Sequence, residues 1–182
     1  MQPLLDGAQI QKLLAAIADE IAADALFPQS AQSPSIALVG IRARGDLLAQ
    51  RLAAELTARA APGTPPIDVG ALDITLYRDD LTSRRAITIP EGTDMNFRLD
   101  GRQVILIDDV LETGRSVRAA LDALVDFGRP QLIRLAVLID RGRREYPIQA
   151  DYVGLHVTET DQNQKIVVRL KPTDPQDAVY LE

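Results

Sequence analysis

The first part of the chain alternates between helix-like and strand-like spacing of its apolar residues. Isoleucines and leucines recur every three or four positions from 6 to about 26, which predicts an amphipathic helix with Asp6 as its cap. The aliphatic run 36–41 predicts a buried strand. Leucines at helical spacing over 47–56 predict a second helix, which the Pro- and Gly-rich residues 61–66 end.

The middle of the chain has one strand-like stretch and one stretch with little periodicity. Residues 67–77 alternate between apolar and polar side chains, which is typical of a strand. Residues 78–100 are charged and poorly periodic, so they predict either a hairpin arm or a mobile loop.

Strand and helix patterns alternate again from residue 104 onward. A helix after the first of these strands places Val117, Leu121, Leu124 and Val125 on one face, and residues 128–130 end it. The predicted strands of this part are 104–107, 133–139, 152–157 and 166–170. Such alternation predicts one α/β domain over 1–182, an open and mainly parallel sheet with helices on both faces.

Composition narrows the classes of function. The 182 residues carry a formal net charge of −6 and include no cysteine, which excludes a disulfide framework, a thiolate nucleophile and cysteine-bound metals. The chain shows no basic stretch followed by an apolar leader and no run of about 18 apolar residues, so we expect a cytoplasmic protein without membrane association. The acidic balance opposes non-specific attraction to nucleic acid.

The strongest chemical signal is the segment 104–116, with the sequence VILIDDVLETGRS. Asp108 and Asp109 follow the predicted strand, and ligands of open α/β sheets bind beyond the carboxyl ends of strands. Residues 113–116 open a helix whose unpaired N–H groups, hydroxyls and neighbouring guanidinium suit an anion. The carboxylates would repel a bare phosphate but suit hydroxyls, a cation or developing positive charge. A phosphorylated sugar, with or without Mg²⁺, has both features; a capped helix beside a solvated acidic pair is the alternative without a ligand.

Other nucleotide-binding classes fit less well. The chain has neither GxGxxG after its first strand nor GxxxxGK followed by Ser or Thr, which disfavours a dinucleotide fold and a P-loop nucleotidase. Phosphoacceptor receiver domains carry paired acids on their first strand, whereas Asp108 and Asp109 come late in this chain.

The segment resembles the phosphoribosyl-pyrophosphate (PRPP) signature of type I phosphoribosyltransferases: an aliphatic strand, two acids, two aliphatics, a variable residue and Thr-Gly. Residues 40–45, GIRARG, are similar to the pyrophosphate loop of one branch, the PyrR family, and 73–81, DITLYRDDL, to the start of its flexible flap. Residues 135–142, LAVLIDRG, match the same family. The resemblance spans 36–154, and the chain is identified as a member of this family of pyrimidine-operon attenuators that are also uracil phosphoribosyltransferases.

The resemblance implies a reaction in which uracil and Mg-PRPP give UMP and pyrophosphate. It implies that residues 113–116 hold the 5′-phosphate, that Asp108 and Asp109 lie beside the ribose, and that Mg²⁺ arrives with PRPP rather than on a metal site of the protein. Carboxylates there would stabilise an oxocarbenium-like transition state. The implied substrate-binding residues are Ala43, Arg44, Asp108, Asp109, Val110, Leu111, Glu112, Thr113, Gly114, Arg115, Ser116, Arg141 and Ile166.

Several of these assignments have structural alternatives. Arg44, implied to meet the pyrophosphate, could be part of a solvated turn. Arg141 and Ile166 are implied to lie near the nucleobase, but Arg141 could pair with a surface acid and Ile166 could be an ordinary strand residue. Tyr77 and Arg78 either face the substrate or pack in a hinge.

The resemblance also concerns larger regions of the chain. It implies that residues 78–100 form a flexible flap that excludes water and that 141–165 form a small hood region. Relatives form dimers and larger assemblies, so we expect a homo-oligomer.

Glu112 departs from the family pattern, which commonly has tyrosine there. Purine-salvage relatives carry an aspartate at this position that can accept a ring proton, so Glu112 is a candidate general base and joins Asp108 and Asp109 as a catalytic residue. Purine salvage itself is disfavoured, because those enzymes read the purine carbonyl with a lysine where this chain has Asp140.

A second departure concerns RNA. The first helix, basic in the family, carries Asp19, Glu20 and Asp24, and Leu155 replaces a lysine. Three basic residues remain that could contact phosphates: Arg141, Arg143 and Arg144. We therefore predict uracil phosphoribosyltransferase activity, with a UMP-responsive regulatory role through pyrimidine-operon mRNA less strongly supported. The alternative is a non-catalytic, nucleotide-sensing attenuator that binds RNA.

Overall fold

A computed structural model of the chain describes residues 3–25, 27–30, 32–79, 92–158 and 164–182. Three α-helices and eight strands form in these ranges. The helices are α1 (Gly7–Ala23), α2 (Gly45–Arg59) and α3 (Arg115–Leu124). The strands are β1 (Leu5–Asp6), β2 (Ile36–Ile41), β3 (Asp68–Leu72), β4 (Gln103–Leu111), β5 (Leu132–Asp140), β6 (Tyr152–His156), β7 (Ile166–Arg169) and β8 (Ala178–Leu181).

The central sheet has five parallel strands in the order β3-β2-β4-β5-β6. Alternate residues of each strand point to opposite faces, so Leu38 and Ile105 pack with α1 and α2 while Val39 and Leu106 pack with α3. Both faces are therefore covered by helices, which confirms the predicted open, parallel α/β architecture.

The predicted first helix forms with the predicted cap. Asp6 Oδ1 accepts a hydrogen bond from the backbone N–H of Gln9 at 2.8 Å, and the Gln9 side chain accepts one from the backbone N–H of Asp6 at 2.9 Å. This reciprocal capping box satisfies two N–H groups that the helix itself cannot pair. The helix ends at Ala23, slightly before the predicted position.

The strand predicted over 67–77 is shorter than expected, because β3 ends at Leu72. Asp73 turns the chain there: its Oδ1 accepts from the backbone N–H of Thr75 at 2.8 Å, and Thr75–Tyr77 form a 3-10 turn. Its Oδ2 accepts from the backbone N–H of Gly92 at 2.9 Å. One side chain thus ties together the two chain segments that flank residues 80–91, the part of the predicted flap that lies outside the described residues.

The predicted apolar face of α3 is partly wrong. Val117 and Leu124 are buried, but Leu121 is 37% exposed and Val125, just beyond the helix, is 74% exposed. Alanines 119, 120 and 123 are buried instead. These alanines pack in the same core cluster as Val39 and Leu106, and the larger leucine and valine face outward.

The strand predicted over 166–170 forms as β7 but belongs to a second sheet. This antiparallel sheet has the order β1-β8-β7, so strands from both ends of the chain pair with each other. β6, inside the segment 141–165 expected to form a hood, is an edge strand of the central sheet. Across the described ranges, no helix has both the length and the apolar character that crossing a membrane requires.

Candidate active site

A polar cleft of about 250 Å³ opens at the carboxyl end of the central sheet. After β2 the chain adds β3 on one side and then β4 on the other, so the order reverses between β2 and β4. Such a reversal leaves a crevice between the two loops that follow those strands. The cleft is lined by Arg78, Asp108, Asp109, Val110, Leu111, Glu112, Thr113, Gly114, Ser116, Val117 and Ile166.

The turn between β2 and α2 lies against β4 because two glycines allow it. A Cβ on Gly40 would lie 2.3 Å from the carbonyl oxygen of Gly45, and a Cβ on Gly45 would lie 2.5 Å from that of Ile107. The Arg42–Ala43 peptide bond is cis, and Arg44 has φ of 80°. Ala43 and Arg44 are not among the residues lining the cleft, although Arg44 is close enough to act electrostatically on Asp109. An ion pair joins this turn to the C-terminal segment: Arg44 Nη2 lies 3.3 Å from Asp174 Oδ2.

The two aspartates lie within β4 and not beyond it, which corrects the predicted strand end at 107. Asp108 and Val110 continue the pairing with β5, so the strand carries its last buried residues into the cleft. Backbone N–H groups hold both carboxylates: Asp109 N donates to Asp108 Oδ1 and Val110 N donates to Asp109 Oδ1, each at 2.9 Å. These hydrogen bonds give both acids a defined orientation.

Burial and mutual repulsion dominate the ionisation of this pair. Burial, then the charge of Asp109, raise the pKa of Asp108 well above its usual value. Burial also raises the pKa of Asp109, while a hydrogen bond from Asp108 and the Arg44 charge oppose that rise. A buried carboxylate beside a half-buried one that also lines the cleft favours a ligand with hydroxyl donors or positive charge.

Residues 113–116, directly after β4 and Glu112, form a turn suited to anions, which we call the anion-binding turn. Gly114 has φ of 89°, and a Cβ there would lie 3.3 Å from the Tyr146 Cβ, so a side chain would be both strained and crowded. Thr113 O accepts from the backbone N–H groups of Glu145 and Tyr146 at 2.9 and 3.0 Å. Arg78 Nη1 donates to Ser116 Oγ at 3.0 Å across the cleft. The start of α3, a hydroxyl and a guanidinium therefore converge on one spot.

The Arg115 guanidinium lies outside this spot. It contacts Glu145 Oε2 at 2.6 Å and Asp79 Oδ2 at 3.0 Å, and it stacks 5.4 Å from the centre of the Tyr146 ring. Arg115 can therefore serve the cleft through its backbone, while its side chain links three segments of the rim.

Arg141 lies behind the cleft and reaches it through Glu112. It is 3% exposed, and its Nη1 donates to Glu112 Oε1 at 2.8 Å while its Nη2 donates to the carbonyl oxygen of Gln164 at 2.9 Å. Arg141 thus pairs with an acid, but this acid, Glu112, lines the cleft. Ile166 lines the cleft from β7.

Tyr77 is not among the residues that line the cleft. Its hydroxyl donates to Asp126, beyond the end of α3. Burial and above all this hydrogen bond raise the pKa of Tyr77. Arg78, the next residue, points into the cleft.

Sequence reasoning missed the role of Arg144. Its guanidinium donates to Asp140 Oδ2 at 2.6 Å, to Ile148 O at 2.7 Å and to Glu112 O at 3.0 Å. It thus clamps the chain after β5 to the end of β4. Among the three arginines predicted to be available to RNA, Arg141 is buried and Arg144 is held internally. No pattern in the sequence indicates this, because Glu112, a partner of both arginines, lies about 30 positions away along the chain.

Comparisons of the sequence with known proteins identify one family. The phosphoribosyl transferase domain family matches residues 4–173. The protein called bifunctional protein PyrR from Roseiflexus sp. (strain RS-1) is 50% identical over 171 residues, 94% of this chain and 88% of that protein. Its counterpart from Bacillus cereus (strain AH820) is 46% identical over 180 residues, 98% of this chain and 95% of that protein.

Solved structures support the fold. The hypoxanthine phosphoribosyltransferase of Trypanosoma cruzi superposes with a TM-score of 0.71 over 100% of this chain and 95% of that one, at 16% identity. At such low identity the likeness concerns the fold alone. Taken with the matches over nearly the whole length, the paired aspartates and the adjoining anion-binding turn identify the chain as a member of the PyrR family of phosphoribosyltransferases.

Proposed function

We propose that the protein transfers a ribose 5-phosphate group from PRPP to uracil, giving UMP and pyrophosphate. The observation that carries the proposal is the juxtaposition in one cleft of two carboxylates, the buried Asp108 and the half-buried Asp109, with a helix start suited to anions. Family membership supports it, since the PyrR family combines this activity with regulation.

The phosphate end of the substrate would lie at residues 114–116. Backbone N–H groups at the start of α3, Ser116 Oγ and the Arg78 guanidinium offer charge-assisted hydrogen bonds to a 5′-phosphate. Asp108 and Asp109 would then face the ribose, where they accept from its hydroxyls. As the bond from C1′ to pyrophosphate breaks, positive charge develops on the ring, and these carboxylates stabilise it more than they stabilise the ground state.

The leaving pyrophosphate would lie toward the turn that carries Ala43 and Arg44. We propose that Mg²⁺ enters with PRPP and supplies neutralisation of the pyrophosphate charge. Among the described residues, no three or more histidine or acidic side chains cluster as a metal site, whereas the carboxylates of the cleft are suited to a metal held on ribose oxygens.

The nucleobase would lie near Glu112 and Ile166. We propose that Glu112 accepts the N1 proton of uracil while N1 bonds to C1′ and the C1′–oxygen bond to pyrophosphate breaks. The Arg141 guanidinium, 2.8 Å from Glu112 Oε1, holds the carboxylate in place for this role.

The direct test is to incubate the purified protein with uracil, PRPP and Mg²⁺ and to measure UMP by chromatography. We expect turnover by the unaltered chain and a loss of about 100-fold or more in Asp109→Asn, because a charge that acts in the transition state is removed. Asp122→Asn, which removes an exposed i,i+4 partner of Arg118 on α3, serves as the matched control. The absence of UMP at high enzyme concentration would contradict the proposal.

Regulation through pyrimidine-operon mRNA is a second candidate, favoured by the naming of the relatives as bifunctional proteins. It predicts tighter binding of the leader RNA with UMP present and weaker binding as salt rises. Indifference to both would contradict it. Binding of UMP and RNA without turnover would instead favour the non-catalytic attenuator. The substrates of both roles are cytosolic, so we propose a cytoplasmic protein and, as in the family, a homo-oligomer.

A further inference from the structure

Arg78 is the cleft residue whose orientation requires explanation. It lies just after the 3-10 turn at Thr75–Tyr77, outside any helix or strand, yet its Nη1 lies 3.0 Å from Ser116 Oγ. A long side chain on an irregular segment loses rotational freedom when it is held in one place. Something in the neighbouring structure must therefore hold the backbone at this position.

Asp79, the next residue, has the contacts that can do so. Its Oδ2 lies 3.0 Å from Arg115 Nη1, 3.2 Å from the hydroxyl of Tyr146 and 3.9 Å from Arg118 Nη1. Two of these partners are on α3, and Tyr146 is on the loop after β5. One carboxylate thus fastens the segment 78–79 to two rigid parts of the site.

The partners of Asp79 are themselves held. Arg115 also contacts Glu145 Oε2 at 2.6 Å, and the backbone N–H groups of Glu145 and Tyr146 donate to Thr113 O at 2.9 and 3.0 Å. The contacts of Asp79, which we call the tether, therefore reach the anion-binding turn by two routes. One is the Arg115 side chain and the other is the Thr113 backbone. A network of this kind is more specific in geometry than an isolated exposed pair.

We propose that Asp79 is a positioning residue: through Arg115 and Tyr146 it holds the backbone that aims Arg78 at the 5′-phosphate subsite. This inference rests on the proposed function for its substrate. The Arg115 side chain then holds segments of the cleft rim together through Asp79 and Glu145. Arg78, Ser116 and backbone N–H groups contact the phosphate directly.

The test is a double-mutant cycle between positions 78 and 79 on the full chain. Asp79→Asn removes the charge while keeping an oxygen that can accept from Tyr146. We expect KM for PRPP to rise roughly three- to tenfold, with KM for uracil and kcat within about twofold, because uniform phosphate binding is lost. In an Arg78→Ala background the same change should have no further effect. Asp19→Asn, which breaks a 2.7 Å pair with Arg59 far from the cleft, should match the unaltered protein.

Two results would overturn the proposal: an unchanged KM for PRPP in Asp79→Asn, or fully additive effects of the Asp79 and Arg78 changes. Calorimetric binding of UMP, which carries the same 5′-phosphate, repeats the cycle without turnover. If the unaltered chain forms no UMP but the cycle in UMP binding is non-additive, the catalytic proposal fails and the tether stands. If turnover is normal and the cycle is additive, the tether alone fails.

Discussion

At the scale of single residues, Asp108 combines a functional requirement with a cost in stability. Its side chain is nearly buried, next to a second carboxylate, and its pKa is raised by burial and by that neighbour. Unfolding removes the burial, which is the larger influence, although Asp109 remains the next residue in the chain. The folded state therefore binds the proton of Asp108 more tightly than the unfolded state does, and stability decreases as pH rises above about 4 toward the folded-state pKa.

The first prediction follows from this decrease in stability with rising pH. At pH 7 the free energy of unfolding of Asp108→Asn should exceed that of the unaltered chain by about 0.5–2 kcal/mol, and the variant should unfold at a higher temperature. The reason is that the amide carries no buried charge and can still accept from the backbone N–H of Asp109. The difference should shrink near pH 4, and UMP synthesis should be lost. Thermal unfolding at several pH values checks this. A less stable variant at pH 7 would contradict the account.

Glu112 provides a second test at this scale. Glu112→Gln should lower kcat by about 100-fold or more if the carboxylate accepts the uracil proton, since general base catalysis contributes at least that much. Glu112→Tyr, which restores the residue common in the family, is the matched comparison. Equal kcat in all three proteins, measured over a range of pH, would show that Glu112 only pairs with Arg141.

At the scale of elements, α2 is joined to the C-terminal segment by a bidentate ion pair. Arg51 Nη1 and Nη2 donate to the two oxygens of Asp177 at 2.8 and 2.9 Å, and Lys171 N donates to the same carboxylate at 2.8 Å. These contacts, with the Arg51 hydrogen bond the largest influence, lower the pKa of Asp177. The pair holds β8, and with it the small sheet, next to α2.

The third prediction concerns this pair. A lowered folded-state pKa means that Asp177 stabilises the fold above the unfolded value of about 4 and loses that contribution as pH falls below it. Asp177→Asn should therefore cost about 1 kcal/mol at pH 7 and have little effect near pH 2. Urea unfolding at both pH values measures this, with Asp122→Asn as the exposed control. A cost that does not depend on pH would point to packing rather than charge.

At the scale of the whole molecule, regular elements were predictable from sequence to the extent that they are local. β2 covers the predicted residues 36–41, and Asp6 caps α1, because apolar spacing and capping chemistry are encoded by neighbouring residues. β8 and the antiparallel sheet were not predicted, since this sheet pairs strands from opposite ends of the chain and the two-residue β1 carries no periodicity. The PRPP-like segment was recognisable for a similar reason: its thirteen residues are contiguous.

The rest of the site depends on partners distant in sequence. Nothing near Arg141 indicates that it lies buried behind Glu112, and nothing near Arg115 indicates that its guanidinium turns toward Asp79 and Glu145. Such assignments require the sheet order and the loop positions. Sequence analysis could thus indicate candidate residues for the site but not which of them touch the cleft.

The fourth prediction concerns ligand binding by the whole protein. A ligand that binds the folded state alone stabilises it, by about 2.7 kcal/mol at 100 times its Kd. We expect Mg-PRPP to raise the unfolding temperature and EDTA to abolish most of that rise, whereas the rise caused by UMP, which lacks the pyrophosphate, should resist EDTA. Thermal-shift measurements check both; an EDTA-resistant effect of PRPP would contradict the proposed entry of Mg²⁺ with substrate.

The close packing of Gly40 and Gly45 has a further consequence. The loop after β2 and the acids of β4 come from separate stretches of chain, and their relative position is set by strand pairing, with Gly40 opposite Ile107. A slip of one residue would move the loop about 3.3 Å along the strand, more than a hydrogen-bond length. Since β2 is buried on both faces, hydrophobicity hardly opposes such a slip. Gly45 does, because only one alignment places its bare Cα beside the carbonyl oxygen of Ile107, while Gly40 lets the turn fold back closely enough to bring Gly45 there.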